Sequence, residues 1–227
     1  MEFPQTTWSV LRQLRPGSGE HRPLMEKLCR RYWTPIRDYA RAAWARDEHE
    51  ADDLAQEFFV WLFEGDVLAR YASERGSFRN YMKGLLRNFG RNFRRASRRH
   101  ERVGGEPTVP LDAAAPVADR RSEEAESGFD RAFARQVMAH AVERLRARFV
   151  GGPREVQWRL YEEYDLVAEN ARPTYAALAE RHGLGEGNVR THLHRVRNLL
   201  KEEVRRELAE TVATSDELDE EWRLVVG

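Results

Sequence analysis

Cys29 is the only cysteine among the 227 residues. An intrachain disulfide and a cysteine-based zinc site are therefore both excluded. No apolar run approaches the ~20 residues that a membrane span requires. The opening "MEFPQTTWSV" has neither the basic start nor the apolar core of a signal peptide, so a soluble, cytoplasmic protein is expected. Net charge is also lacking: 38 Lys and Arg balance 38 Asp and Glu, which removes any argument from overall basicity. Strand-type alternation is almost absent, while apolar residues recur at helical spacing throughout, so the expected fold class is all-α. No nucleophile–base pair stands in a convincing context, and neither enzymatic activity nor a cofactor is expected.

The balanced charge is unevenly distributed. Residues 70–102 hold eleven Lys or Arg against two Glu, whereas residues 106–130 hold seven acids against two Arg. The chain after Arg206 is acidic again. Such blocks point to a polyanion-binding surface beside segments that mimic or avoid a polyanion.

Periodicity predicts helices over Trp8–Leu14, Leu24–Arg46 (Leu28, Tyr32, Ile36, Tyr39 and Ala43 on one face, with Pro35 kinking or breaking it), and Glu50–Phe63. A further helix starts near Ser77, a suitable N-cap. From Val103 to Gly128 the composition turns to Gly, Pro, Ala and acids without periodicity, as in a flexible linker. Helices resume at Phe129–Arg148, Val156–Glu169, Thr174–His182 and Gly187–Leu208. The expected organisation is two small helical domains, 1–102 and 129–210, with an acidic linker, 103–128, between them and an acidic tail, 211–227. No internal repeat is visible.

The segment "FRNYMKGLLRNFGRNFRRASRRH", Phe78–His100, sorts into three arcs at roughly 100° per residue. Phe78, Tyr81, Met82, Leu85, Phe89 and Phe93 share an apolar face. Arg79, Lys83, Arg87, Arg91, Arg94 and Arg98 form a cationic strip, and Asn80, Gly84, Asn88 and Asn92 a third. Packing alone would need only the first arc.

"TYAALAERHGLGEGNVRTHLHRVRNLL" has the marks of a helix-turn-helix. Thr174 caps a short helix, Ala179 permits a close crossing, Gly183 can take the left-handed conformation, and Gly185 or Glu186 opens a second helix. Val189, Leu193, Val196 and Leu200 are its buried stripe. Asn188, Arg190, Thr191, His194, Arg195 and Arg197 then face outward or flank it, where Asn and Arg can read base edges. An ordinary helical hairpin with a solvated face is the alternative.

"EHEADDLAQEFFVWLFEGD" sets Asp52, Asp53, Gln56 and Glu57 beside Leu54, Phe58, Trp61 and Leu62. Three readings stand for this helix: acids that complement a helix dipole, a recognition face for a basic helical partner, and a carboxylate metal site. The Glu-x-x-His pairs of a di-metal bundle are missing.

Taken in order, these parts make the chain resemble an extracytoplasmic-function (ECF) sigma factor, the small type of bacterial RNA polymerase sigma subunit. The resemblance rests on "ADDLAQEFFVWLF", "FRNYMKGLLRNFGRNFRR" and the helix-turn-helix, across most of the chain. It implies that Asp53, Leu54, Gln56, Glu57 and Trp61 dock on the clamp of core RNA polymerase. It implies that Arg75, Arg79, Asn80, Lys83, Arg87, Asn88, Arg91, Asn92 and Arg95 contact the −10 element, with the loop 70–77 capturing a flipped base. It implies that Thr174, Glu186, Asn188, Arg190, Thr191, His194, Arg195 and Arg197 contact the −35 element, and that the acidic linker threads toward the polymerase active site. Implied partners are core polymerase, promoter DNA (duplex at −35, single-stranded at −10) and, as is common in the family, an anti-sigma factor. The sequence departs from common family choices with Tyr81 for Trp, Asn92 for Asp, and Asn188 and His192 for Thr and Arg. Two other classes compete: a stand-alone helix-turn-helix regulator binding duplex DNA as a dimer, and a helical metal-dependent hydrolase using Asp53 or Glu57. The basic helix and the acidic linker speak against both. The tail is either a regulatory appendage or a solvated helix.

Overall fold

The computed structural model describes residues 21–65, 67–71, 76–100, 120–212 and 214–227. Within them the regular structure is helical and no strand occurs, so the chain is all-α there. The helix expected at Trp8–Leu14 and most of the expected linker lie outside the described residues. The α-helices are α1 His21–Ala43, α2 Glu48–Glu64, α3 Phe78–His100, α4 Arg120–Phe149, α5 Glu155–Tyr164, α6 Tyr175–His182, α7 Glu186–Ala209 and α8 Ser215–Val226. They divide into two compact units, one of residues 1–136 and 209–227, the other of residues 137–208.

In the first unit, Leu28, Tyr32, Ile36, Tyr39 and Ala43 of α1 are buried at the expected spacing. Pro35 does not interrupt the helix. It lacks one backbone donor, but Tyr32, Ile36 and Tyr39 are buried on both sides of it, and that packing holds the helix through the missing bond. Asp47 caps α2, its Oδ1 accepting from the Glu50 amide at 2.9 Å. Leu54, Ala55, Phe58, Phe59 and Leu62 carry α2 onto α1. Ser77 Oγ accepts from the Asn80 amide at 3.4 Å and so opens α3, which buries Phe78, Met82, Leu85 and Leu86. Farther along α3, Gly90 lies under the Trp44 indole, where any Cβ would collide with the ring.

Helix α4 begins at Arg120, so the last nine residues of the expected linker, 120–128, are helical. Ala125, Phe129, Ala132 and Phe133 are buried, and the rings of Phe129 and Phe133 stack on Tyr32 at 6.3 and 5.6 Å. The first half of α4, up to residue 136, thus belongs to the N-terminal unit and not to a C-terminal domain starting at 129. The expected acidic tail is likewise part of this unit. Thr214 Oγ1 accepts from the Glu217 amide at 3.3 Å to cap α8, and Glu217, Leu218 and Glu221 are buried.

The second unit packs the distal half of α4 with α5, α6 and α7. Its core holds Leu145, Phe149, Trp158, Leu160, Tyr161, Leu178, Ala179, Val189, Leu193 and Val196. Helix α5 ends at Tyr164, five residues before the expected Glu169; the Asp165 carboxylate there receives both Arg197 Nε and Nη2 at 2.9 Å. In the distal part of α7, Glu203 and Glu207 are buried. They receive Arg148 and Arg144 from α4, and Arg206 Nη1 reaches Glu203 Oε1 at 2.7 Å. Buried carboxylates are tolerated only with such partners.

Burial raises the Tyr161 hydroxyl to a pKa of about 12, Asp165 adding to the shift. Because the folded value lies above the unfolded one of about 10, the associated stability is complete below pH ~10 and falls away as pH rises toward ~12. Alkaline titration followed by circular dichroism and phenolate absorbance is expected to show helix loss in that window, together with a late-titrating tyrosine fraction. Ionisation of all tyrosines near pH 10 with the helix signal intact would contradict it.

Candidate nucleic-acid interface

In the second unit the local chemistry builds an outward polar face. Thr174 Oγ1 accepts from the Ala177 amide at 3.1 Å and starts α6. Gly183 ends it at φ +63°, ψ +36°, and the Leu184 amide returns to the Ala179 carbonyl at 2.9 Å. The Gly185 carbonyl then accepts from the Asn188 and Val189 amides at 2.9 and 3.1 Å as α7 begins. Val189, Leu193 and Val196 are fully buried, with Leu200 packed at the edge of the same core.

That burial turns Glu186, Asn188, Arg190, Thr191, His194 and Arg195 to the exposed side, and Thr174 is exposed too. Two of these side chains are engaged locally: Thr191 Oγ1 donates to the Gly187 carbonyl at 2.9 Å, and His194 Nε2 lies 3.0 Å from Asn198 Nδ2. The Arg190 guanidinium sits over the Tyr175 ring at 5.4 Å, which fixes its stem and leaves its donors available. Arg197 differs. Its fork is occupied by Asp165, its guanidinium covers Tyr164, and the Asp165 hydrogen bonds hold its pKa above the usual value. It acts as a brace between α7 and the end of α5. Two residues missed in the sequence adjoin this face. Tyr175 packs on Tyr164 with ring centroids 5.0 Å apart, and Arg172 lies over Tyr164 at 5.6 Å. Both lie in or beside the segment before α6, where no periodic pattern marks them.

In the first unit, α3 carries its cationic strip in two states. Arg87 and Arg91 are exposed, as is Asn80; Asn88 and Asn92 are half-buried. Arg79, expected on an open face, is buried. Its Nε reaches Glu221 Oε1 and Oε2 at 3.0 and 2.8 Å, and its Nη1 bonds Asp130 Oδ1. Burial works against the charged form, yet Glu221 and Asp130 carry its pKa above the ordinary arginine value. Lys83 Nζ reaches Asp130 Oδ2 at 3.0 Å, and Arg87 Nη1 reaches Glu126 Oε1 at 3.2 Å. Arg75 and the side chain of Arg95 lie outside the described residues. Of the expected apolar arc, Phe89 is only half-buried, between Trp44, Phe58 and Trp61 at 5.4–5.8 Å. Tyr81 donates its hydroxyl to the Val67 carbonyl, which ties α3 to the preceding loop.

On α2, Asp53, Gln56, Glu57 and Val60 form one exposed stripe. Leu54, expected on that face, points the other way and is 2% exposed. Trp61 is half-buried against Phe58 and Phe89, both 5.6 Å away. Trp33 of α1, absent from the expected set, stacks on Phe59 at 5.8 Å with rings 7° from parallel, and it extends the stripe with an exposed indole. It escaped the sequence pattern because it comes from a different helix. Among the described residues no three His, Cys, Asp or Glu side chains are grouped to hold a metal ion, and no helix is long and apolar enough to cross a membrane. No protein-family model, no curated protein and no solved structure matches this chain.

Proposed function

We propose that this chain is an alternative sigma subunit of the ECF type, which binds core RNA polymerase, recognises −35 and −10 promoter elements and promotes strand opening. The observation that carries the reading is the outward face of α7: Asn188, Arg190, Thr191, His194 and Arg195 are all exposed, behind a turn set by Thr174 and the left-handed Gly183. That arrangement suits a recognition helix entering the major groove at its N-terminal end, with α6 crossing the backbone. Arg190 and Arg195 supply base-edge or phosphate donors, and Asn188 can read adenine. In the N-terminal unit, Asn80 and Asn88 supply amides to a separated strand, and the exposed Arg87 and Arg91 supply cations, Arg87 by exchanging Glu126 for a phosphate. Asp53, Gln56 and Glu57, extended by Val60 and Trp33, offer an acidic and apolar stripe to a basic helical partner on the polymerase. Chemistry at a reacting bond has no part in this mechanism; binding energy drives strand opening.

Run-off transcription with purified core polymerase on a pool of promoter fragments tests the reading. Discrete transcripts are expected only when the protein is added. The Arg190→Ala, Arg195→Ala double variant is expected to keep core binding and to lose −35-dependent initiation at least tenfold, at ~1–3 kcal/mol for each lost base-edge contact. Failure to co-elute with core polymerase, combined with duplex binding at two-fold related half-sites, would replace the reading with a stand-alone regulator.

A further inference from the structure

Two acidic segments close over the cationic strip of α3 within the N-terminal unit. Asp130 of α4 takes Arg79 and Lys83, Glu126 of α4 takes Arg87, and Glu221 of α8 takes Arg79. The Glu221 side chain is 1% exposed and that of Arg79 10%, so this pairing is desolvated, unlike a surface ion pair. Carboxylate oxygens thus stand at guanidinium and ammonium donors that would serve equally for phosphate oxygens.

Helix α8 is suited to leave. It has 12 residues, a length at which an isolated helix is marginal and depends on its docking. Its docked face buries Leu218 beside the carboxylates Glu217 and Glu221, with Trp222, Leu224 and Val225 only half-buried. Its contact with α4 is incomplete: a cleft of about 390 Å³ opens beside Leu224, lined by Ser127, Asp130 and Ala134. The segment before it is tied down separately, since Glu210 Oε2 receives Lys27 Nζ at 2.6 Å and Arg31 Nη2 at 3.2 Å. Thr211 and Val212 are buried as well, so undocking can be confined to α8 and leave the rest of the unit in place.

We propose that α8 is an intramolecular clasp. Glu221 of α8 and Asp130 of α4 occupy the Arg79–Lys83 part of the cationic strip in place of nucleic-acid phosphates; a single strand of DNA must displace α8 to reach Arg79, and its phosphates then compete with Asp130 for Arg79 and Lys83. The proposal rests on the reading of α3 as a strand-binding helix. It gives the acidic C-terminal segment a regulatory role: the free protein holds its strand-binding surface partly closed, and opening is coupled to engagement of DNA. The exchange is one anion for another at the same donors, so it answers to salt and to local phosphate concentration.

The test uses the full chain and a labelled 20-nucleotide single strand of mixed sequence, titrated over a range of salt concentrations. The double variant Asp130→Asn, Glu221→Gln releases Arg79 and Lys83 and raises the net charge by two; Asp216→Asn, Glu220→Gln, exposed on α8, makes the same change in net charge and should leave the slope near that of the unmodified protein. Two further cations available to phosphates should steepen the dependence of log K on log salt by about 1.4, at about 0.7 per phosphate neutralised on a single strand, with tighter binding at low salt. An unchanged slope overturns the clasp. If the double variant does not fold, the unmodified protein carries the test by hydrogen exchange. Saturating oligonucleotide should deprotect the amides of α8, and unchanged or increased protection there overturns the proposal. Core polymerase binding, measured on the same preparations, separates the two readings. Core binding with an unchanged slope removes the clasp alone, and a steeper slope without core binding removes the sigma reading while retaining the clasp.

Discussion

Tyr32→Ala is expected to lower the unfolding free energy of the N-terminal unit by ~3–5 kcal/mol, the range for truncating a fully buried aromatic ring. Tyr32 is 0% exposed, and its ring meets Phe78, Phe129 and Phe133 at 5.6–6.3 Å. One side chain thus joins α1 to α3 and to the first half of α4. Removing it leaves a cavity that three rigid rings on two further helices cannot collapse to fill. The midpoint of thermal unfolding should fall by roughly 6–20 °C for a chain of this size. Tyr32→Phe keeps the ring and its contacts with Phe78, Phe129 and Phe133, and should lose far less than Tyr32→Ala. Denaturant titration of the three proteins checks both expectations. A Tyr32→Ala loss below ~1 kcal/mol would mean that the start of α4 does not pack on α1.

The matching substitution in the second unit is Trp158→Ala, also expected to cost ~3–5 kcal/mol. Trp158 is 1% exposed and lies between Phe149 at 6.3 Å and Tyr161 at 5.4 Å. It supports the same core on which Val189, Leu193 and Val196 seat α7, so its loss should also unseat α7 at temperatures where the variant unit melts. Trp158→Phe should behave quite differently. The indole Nε1 is buried without a hydrogen-bond partner among the described residues, and an unpaired buried donor costs ~1–3 kcal/mol. Phenylalanine removes that donor while giving up part of the ring volume, and the two effects oppose each other. A Trp158→Phe variant as unstable as Trp158→Ala would show that a phenyl ring does not fill the indole's place and that removing the N–H brings no gain.

The polar face of α7 was legible because everything that sets it is close in sequence. The Thr174 cap acts over three residues, the Gly183 turn over four or five, and the buried stripe recurs at three- and four-residue intervals. The cationic strip of α3 was legible as a pattern, and its occupancy was not. Arg79 reads as one of six cations in a row, yet its carboxylates arrive from α4 and α8. Arg197 likewise reads as an outward residue of the recognition face, until Asp165, 32 positions earlier, takes its fork. Leu54 reads with its acidic neighbours on α2 only by adjacency in sequence; the helical period sets it on the opposite side, among Ala51, Ala55 and Phe58.

By itself the sequence determined the all-helical class, the approximate spans of most helices, their caps, and which side of α7 faces outward. Those features follow from backbone hydrogen bonding and side-chain periodicity within one or two turns. Only the tertiary structure decided that residues 120–128 are helical, that the acidic C-terminal segment belongs to the N-terminal unit, and that Arg79 is paired. The partners of Arg79 lie 51 and 142 residues away. A carboxylate carries no local mark of which cation it will meet, because Coulomb attraction is indifferent to chain order and selects a partner only after the apolar faces have brought α3, α4 and α8 together.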